Sequence, residues 1–330
     1  MLPGDPAEMM LGQNVDKAQL EVVNKKYGFD KPIQTQYVFY INDLSPLSFH
    51  SNNAEDYTYL RSNKYSALQL FTIGNTTTVL KLPYLRESFT KQGKKVSQVL
   101  SETLPNTFVL AITAILIAII LGICLGIISA LKKDTILDKA IQILSTVGMS
   151  VPSFFSAILF AWLFGFVLHK YTNLEMTGSL YELDDFGEAM HIQWKNLILP
   201  AVVLGIRPLA VIIQLMRNSL LEVFNQDFIR TARAKGLSEF QIIRKHAIKN
   251  AMNPVVTAIS GWFASMLAGA VFVEYIFGWN GLGKEIVNAL NTLDLPVIMG
   301  AVLIIALLFI IINIFVDIIY AWLDPKIKLQ

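Results

Sequence analysis

From Leu104 onward the chain alternates long apolar runs with short polar loops, whereas residues 1–102 are polar and mixed in charge. A helix needs roughly 20 apolar residues to cross about 30 Å of hydrocarbon. Five segments reach that length: 104–131, 136–168, 197–216, 255–276 and 295–322. Pro152 should kink or restart the second of them after an amphipathic first turn. Gly122 and Gly126 in the first segment, and Ser265 and Gly269 in the fourth, are spaced for close helix contact. The pattern predicts an all-α integral membrane fold with three parts: an N-terminal region (1–103), a membrane domain (104–322) and a short tail (323–330).

Composition agrees with the pattern. Of the 330 residues 54% are hydrophobic and only 16% charged, with a mean hydropathy of +0.50, against about a quarter charged in ordinary soluble domains. Cys124 is the single cysteine and lies in an apolar run, so no intrachain disulfide can form. One cysteine and four scattered histidines build no zinc or redox site.

The net charge of +2 is uninformative until it is read loop by loop. Lys and Arg concentrate in cytoplasmic loops. Lys132, Lys133 and Lys139 follow the first span. Arg230, Arg233, Lys235, Arg244, Lys245 and Lys249 follow the third, and Lys326 and Lys328 end the chain. The alternate loops are poor in basic residues. Between 169 and 196, Glu175, Glu182, Asp184, Asp185 and Glu188 face only Lys170 and Lys195, and Lys284 stands alone after the fourth span. This asymmetry places the C-terminus in the cytoplasm and, with five spans, residues 1–103 outside. No leader precedes Leu2. The chain therefore reads as lacking an upstream first helix, through a misassigned start or a trimmed sequence.

The longest cytoplasmic loop, 226–250, reads as two short helices broken at Gly236. Gly236 would close the first with a left-handed cap, and Ser238 would cap the second. Phe240, Ile243 and Ala247 would share one face of the second helix, with Arg244, Lys245 and Lys249 mostly elsewhere. On physical grounds the loop is either a snorkelling, positive-inside connection or a docking element.

The run Arg230, Thr231, Ala232, Arg233, Ala234, Lys235, Gly236, Leu237 closely resembles the "EAA" signature loop of ABC-importer permeases, in the form of the dipeptide and oligopeptide branch. Arg230, Thr231 and Ala232 take the Glu-Ala-Ala places and Gly236 is the motif glycine. His246, Ala247 and Ile248 follow at the expected distance, with Lys249 where the general motif has proline. Further segments resemble the family in order: Leu2 to Ala7, Tyr27 to Ile33 with Gln36 and Tyr37, Thr103 to Thr107, Phe272 to Gly283, and Leu323 to Ile327. Gln214 departs from the arginine of many relatives, and the stretch 42–93 is longer than the family leads one to expect.

The resemblance implies a permease subunit of an ATP-driven importer, of di- or oligopeptides by its branch, with nickel or glutathione as substrate alternatives. Expected partners are a second, similar permease, two ATPase subunits and an extracytoplasmic substrate-binding protein, in a bacterial inner membrane. No nucleic acid is implied. The chain itself would carry no cofactor, ATP and magnesium being held by the partner subunits. In that family the loop at 226–250 forms the coupling helix, seated in a groove of the ATPase. A gradient-driven secondary transporter and a non-transporting membrane receptor or scaffold are the rival classes.

The run Gly278 to Glu285 nearly spells a P-loop, but Glu285 stands where a magnesium-binding hydroxyl should be, and no strand precedes it. Arg207, within the third span, has two readings. It lines the translocation cavity, together with Gln214, and meets a peptide carboxylate; or it holds a helix kink against a neighbouring carbonyl, the reading the sequence favours.

Overall fold

The computed structural model describes residue 7 and residues 16–54, 56–60, 64–184 and 189–323. Residues 2–6, Asp185, Glu188 and the tail beyond Leu323 lie outside the described residues, as does the side chain of Asp317. The chain divides into two compact units: residues 1–102 with 286–303, and residues 103–285 with 304–330.

The first unit opens with two helices, α1 (Lys17–Tyr27) and α2 (Ile33–Leu44). Asp16 caps the start of α1 through Ala18 N, and Gly28, at φ +72°, ends it in the left-handed region that an L side chain resists. Tyr27, Phe29 and Phe89 then pack as a ring cluster with centroids 5.7–6.3 Å apart. A three-stranded antiparallel sheet follows, β1 (Leu47–Ser51), β2 (Ala67–Ile73) and β3 (Thr76–Lys81), in the order β1-β3-β2. The β2–β3 turn is the two-residue pair Gly74 and Asn75, a composition that suits tight hairpins. The sheet lies within the long stretch 42–93, for which hydropathy predicted no structure.

The interior of this unit is polar and centred on Asp43. The buried carboxylate of Asp43 accepts from Tyr57 OH (2.8 Å), Tyr65 OH (2.6 Å) and Arg86 Nε (3.0 Å), and Lys81 Nζ donates to the Asp43 carbonyl. Burial, and then the Asp43 charge, push the Tyr57 and Tyr65 hydroxyls far above the ordinary tyrosine range, so both stay donors at any physiological pH. Asp294, at the start of the last helix, accepts from Ser88 Oγ, Thr90 N and Thr90 Oγ1.

The remaining helices follow in chain order. These are α3 (Val96–Leu131), α4 (Ile136–Ser150), α5 (Ser153–Phe160, continuing as a π-helix over Ala161–Val167) and α6 (Lys195–Phe224). Next come α7 (Asp227–Ala234), α8 (Glu239–Ile242), a π-turn at Ile243–Ala247, α9 (Ile248–Gly269), α10 (Val271–Phe277), α11 (Leu282–Asn291) and α12 (Leu295–Leu323). A short hairpin, β4 (Tyr181–Leu183) and β5 (Met190–Ile192), occupies the acidic loop. Among the described residues α3, α6 and α12 are each long and apolar enough to cross a membrane. The bent pairs α4–α5 (108°) and α8–α9 with α10 (58°) bring the number to five.

The bend in the second span falls at Val151 and Pro152: α4 stops at Ser150 and α5 restarts with Pro152 at its N-cap, where a missing N–H costs nothing. The helix α3 starts eight residues before the apolar run, with Val96, Val99 and Leu100 buried at helical spacing. Where α3 meets α6, a Cβ on Gly122 would fall 2.6 Å from Ile212, and one on Gly126 would fall 2.7 Å from Met216. Small residues there let two helices approach closely, as membrane packing requires.

His50 on β1 supplies a pH test of the first unit. It is fully buried, with Nδ1 2.8 Å from the Thr58 carbonyl and Nε2 3.0 Å from Ser48 Oγ, contacts that suit a neutral ring. Burial above all holds its pKa below the ordinary value, which is about 6.5 in an unfolded chain. A lowered folded pKa means that the stabilisation is present above pH 6.5 or so and is lost as pH falls through the folded value. Thermal melts of the purified protein from pH 8 to pH 5 should show destabilisation beginning below about pH 6.5, and His50→Gln should flatten that slope.

Candidate functional site

The loop 226–250 is built from its caps outward. Asp227 starts α7 with a negative charge at the positive end of the helix dipole. The helix ends at Lys235, and Gly236 turns the chain at φ +76° with nothing within 4 Å of a would-be Cβ. Backbone conformation rather than space therefore selects glycine there. Ser238 and Gln241 form a reciprocal capping box that opens α8. Arg233 Nε meets Glu239 Oε1 at 3.0 Å across the turn, joining the two short helices.

One face of this element packs inward. Ile229, Ala232, Ile242 and Ala247 are buried in a cluster with Met216, Leu220 and Val223 of α6 and with Ala251 and Val255 of α9. The inward residues of the second helix are thus Ile242 and Ala247, five apart, rather than Phe240, Ile243 and Ala247. The π-turn at Ile243–Ala247 adds a residue to the turn and rotates the face. Phe240 is 70% exposed. Arg230, Thr231, Arg233, Ala234, Lys235 and Gly236 are exposed, Leu237 is half-buried, and Ala232 points inward. The eight signature residues thus form one short helix and turn, with Ala232 anchoring it and Phe228 and Phe240 adding apolar surface outside.

A buried ion pair holds the base of the loop. Asp138, near the start of α4, accepts from Arg217 of α6 in a two-pronged pair (Nε to Oδ1 2.8 Å, Nη2 to Oδ2 2.7 Å). Ser129 Oγ and Asp134 N complete the shell of the carboxylate, and Gln142 supports Ser129. The ends of α3, α4 and α6 are thereby tied at one point. No spacing rule in the sequence pairs positions 79 residues apart.

The second candidate region lies where α6 and α9 pack together. Arg207, Gln214 and Asn218 share one face of α6 at intervals of seven and four; Arg207 and Asn218 are exposed and Gln214 is half-buried. On α9, Asn253, Thr257, Gly261 and Ser265 recur every four residues and are all exposed. A small hollow of about 90 Å³ lies at the bend of the second span, lined in part by Ser153, Ser156, Arg207, Trp262 and Ser265. Among the described residues Arg207 has neither a hydrogen bond nor an ion pair. Gln214 is not among the residues lining the hollow. The polar stripe of α9 was legible in its four-residue period but went unread beside the charged loop.

The segment that nearly spells a P-loop is a tight structural turn. The Glu274 carboxylate accepts from the N–H groups of Gly283 (2.6 Å) and Lys284 (3.3 Å) at the start of α11. Lys284 Nζ is turned onto the Gly278 carbonyl and Asn280 Oδ1. Trp279, fully buried, donates through Nε1 to the Asn106 carbonyl, and Thr107 Oγ1 accepts from Leu282 N. The donors a phosphate would use are taken up by the protein itself.

Comparison with known proteins adds an independent line. Residues 122–329 match the family described as binding-protein-dependent transport system inner membrane component, and residues 1–53 match the N-terminal family of the same components. A putative peptide permease of Brucella suis biovar 1 (strain 1330) is 34% identical, over 99% of this chain and 91% of its own length. The dipeptide transport system permease protein DppB of Bacillus subtilis (strain 168) is 33% identical, over 100% of this chain and 90% of its own. In fold, the chain is similar to the inward-facing MetNI methionine ABC transporter, with a TM-score of 0.54 at 16% identity, covering 69% of this chain and 97% of that one.

Removing one partner of a buried ion pair strands a charge and costs about 3–5 kcal/mol, whereas replacing both by apolar groups is often nearly neutral. Arg217→Met should therefore lower the melting temperature of the detergent-purified protein sharply. The double variant Asp138→Leu/Arg217→Met should recover much of the loss, and melts of the four proteins as a double-mutant cycle would check it.

Proposed function

The chain belongs to the family of inner membrane components of binding-protein-dependent transport systems, and from that premise we propose that it is a permease subunit of an ATP-driven importer of di- and oligopeptides. Membership in the family implies a separate ATPase and a substrate-binding protein as partners. The peptide assignment draws on the names of relatives such as the putative peptide permease and the dipeptide permease, over nearly the whole chain. Nickel and glutathione are the other substrates to try in the same uptake assay.

The observation that carries the reading is the construction of α7 and its turn. Ile229 and Ala232 weld one face to the membrane helices, while Arg230, Thr231, Arg233, Lys235 and Gly236 are exposed on the other. That is how an element must be built if a force applied outside is to reach the spans. In the mechanism we propose, α7 sits in a groove of an ATPase subunit, two ATPases serve this chain and a second, similar permease, and the exposed aromatics Phe228 and Phe240 add apolar grip to the basic contacts. ATP-driven closure draws the two coupling elements together, and the spans pass from inward-open to outward-open by differential binding to the two states. The basic loops support a reading with α7 and the C-terminus in the cytoplasm and the N-terminal region outside, where the substrate-binding protein would deliver its cargo. The occupied N–H groups at Gly283 and Lys284 support leaving ATP chemistry to the partner.

Gly236 provides the test. A β-branched residue there forces a left-handed backbone that costs an L residue about 1–2 kcal/mol and reorients the turn between α7 and α8. In vesicles containing the complete transporter, Gly236→Val should lower ATP-dependent peptide uptake at least about tenfold, equivalent to 1.4 kcal/mol, with the ATPase still able to hydrolyse ATP. Uptake at the unaltered rate would count decisively against α7 as the coupling element, and uptake driven by an ion gradient without ATP would favour a secondary transporter.

A further inference from the structure

Arg207 lies at the thirteenth position of the thirty-residue helix α6, about 18 Å from its start at 1.5 Å per residue. That is membrane depth. A guanidinium facing hydrocarbon is strongly unfavourable, so intramembrane arginines face the bundle interior or water and pair with something. This one is exposed on the surface of the chain and, among the described residues, meets no carboxylate and no carbonyl. It therefore does not hold the kink at Pro208 by a hydrogen bond. The same span contains a contrasting case. Arg217, ten residues on, is fully engaged by Asp138, so the chain supplies a buried counter-charge where structure needs one.

The surroundings of Arg207 are those of a polar path rather than a lipid face. Ser153 and Ser265 share its hollow with the Trp262 indole. On α9 the exposed residues Asn253, Thr257 and Gly261 continue the four-residue row that ends at Ser265, and on α6 Gln214 and Asn218 continue the face of Arg207. None of these residues carries a negative charge. A cation without a counter-ion, set among hydroxyls and an aromatic ring, suits a ligand that brings its own anion together with apolar or amide groups.

We infer that the hollow at Arg207 is a transient binding site on the translocation path, where the guanidinium takes the carboxylate of the passing substrate. Ser153 and Ser265 are placed to offer hydroxyls to the same end. Trp262 offers a face to the adjoining chain. The site is open and has a single cation, so it holds its ligand weakly, as a path must if the substrate is to leave. This inference rests on the peptide reading above, and it adds that the free C-terminal carboxylate is what the membrane domain itself recognises.

The test compares a labelled dipeptide with its C-terminal amide in vesicles containing the complete transporter, each delivered by substrate-binding protein loaded to saturation. Initial uptake rates are measured for the unaltered protein, Arg207→Gln and Arg207→Lys, with co-purification of the ATPase confirming assembly. A hydrogen bond to a charged group contributes about 1.5–3 kcal/mol, or roughly 10- to 150-fold in rate. The unaltered protein should therefore prefer the free acid, Arg207→Gln should lose that preference by such a factor, and Arg207→Lys should keep part of it. An acid-to-amide ratio unchanged in Arg207→Gln, or equal to one in the unaltered protein, overturns the carboxylate site while leaving the importer reading intact. Absence of ATP-dependent uptake of either peptide by the unaltered protein overturns the peptide reading instead.

Discussion

The Asp138–Arg217 pair is the fixed point of the second unit. A carboxylate and a guanidinium held away from water are tolerable only if nearly every lone pair and proton finds a partner, and this one is supplied by four donors from three stretches of chain. The requirement fixes the end of α3, the start of α4 and the inner half of α6 relative to one another. Arg217 stands seven residues, about two turns, before the end of α6 at Phe224. The loop that follows is thus mounted on a helix whose base is locked to two others. In the proposed mechanism a displacement of α7 is passed to three spans together rather than absorbed by one.

Against that rigid base the structure sets two breaks. The bend at Val151 and Pro152 and the bend between α9 and α10 interrupt the hydrogen-bonding of helices at membrane depth. Such interruptions persist where neighbouring groups or a polar cavity satisfy the freed backbone. At the first break the cavity is visible: Val151, Ser153 and Ser156 line the hollow that Arg207 enters. Irregular backbone, hydroxyls and the Arg207 guanidinium occur together at this hollow.

What could be read from the sequence follows from which forces act locally. Span positions were legible because the bilayer imposes length and apolarity on continuous stretches, and the cap at Gly236 was legible because left-handed backbone selects glycine. The first turns of α3 were missed because Val96, Val99 and Leu100 bury one face among polar residues, which a search for unbroken apolarity passes over. The π-turn at Ile243–Ala247 has no compositional mark, so regular helical spacing groups Phe240 with Ile243 and Ala247, whereas Ile242 and Ala247 turn inward. The polar cluster beside the sheet in the first unit is gathered on Asp43 from residues as far away as Arg86, and the pairing of Asp138 with Arg217 is likewise non-local. Neither relation exists until the chain has folded. Arg207 was read from its type and depth alone, and only the structure shows that its nearest polar company is hydroxyl and indole.

The Gly278 to Glu285 turn and the Arg207 hollow illustrate opposite uses of the same electrostatics. At the turn, N–H groups at the start of α11 create a site that attracts an anion, and the chain fills it with its own Glu274. A filled site contributes to rigidity and is closed to ligands. Asp138 does the same for Arg217. At Arg207 the chain supplies the positive charge without an ion-pair partner among the described residues, beside a hollow lined by hydroxyls. A positive charge kept there without an internal counter-ion raises the energy of the empty path relative to one occupied by an anion. In the proposed site the asymmetry favours entry of a carboxylate while the openness of the hollow and its single cation keep the hold weak, which is the balance that passage requires.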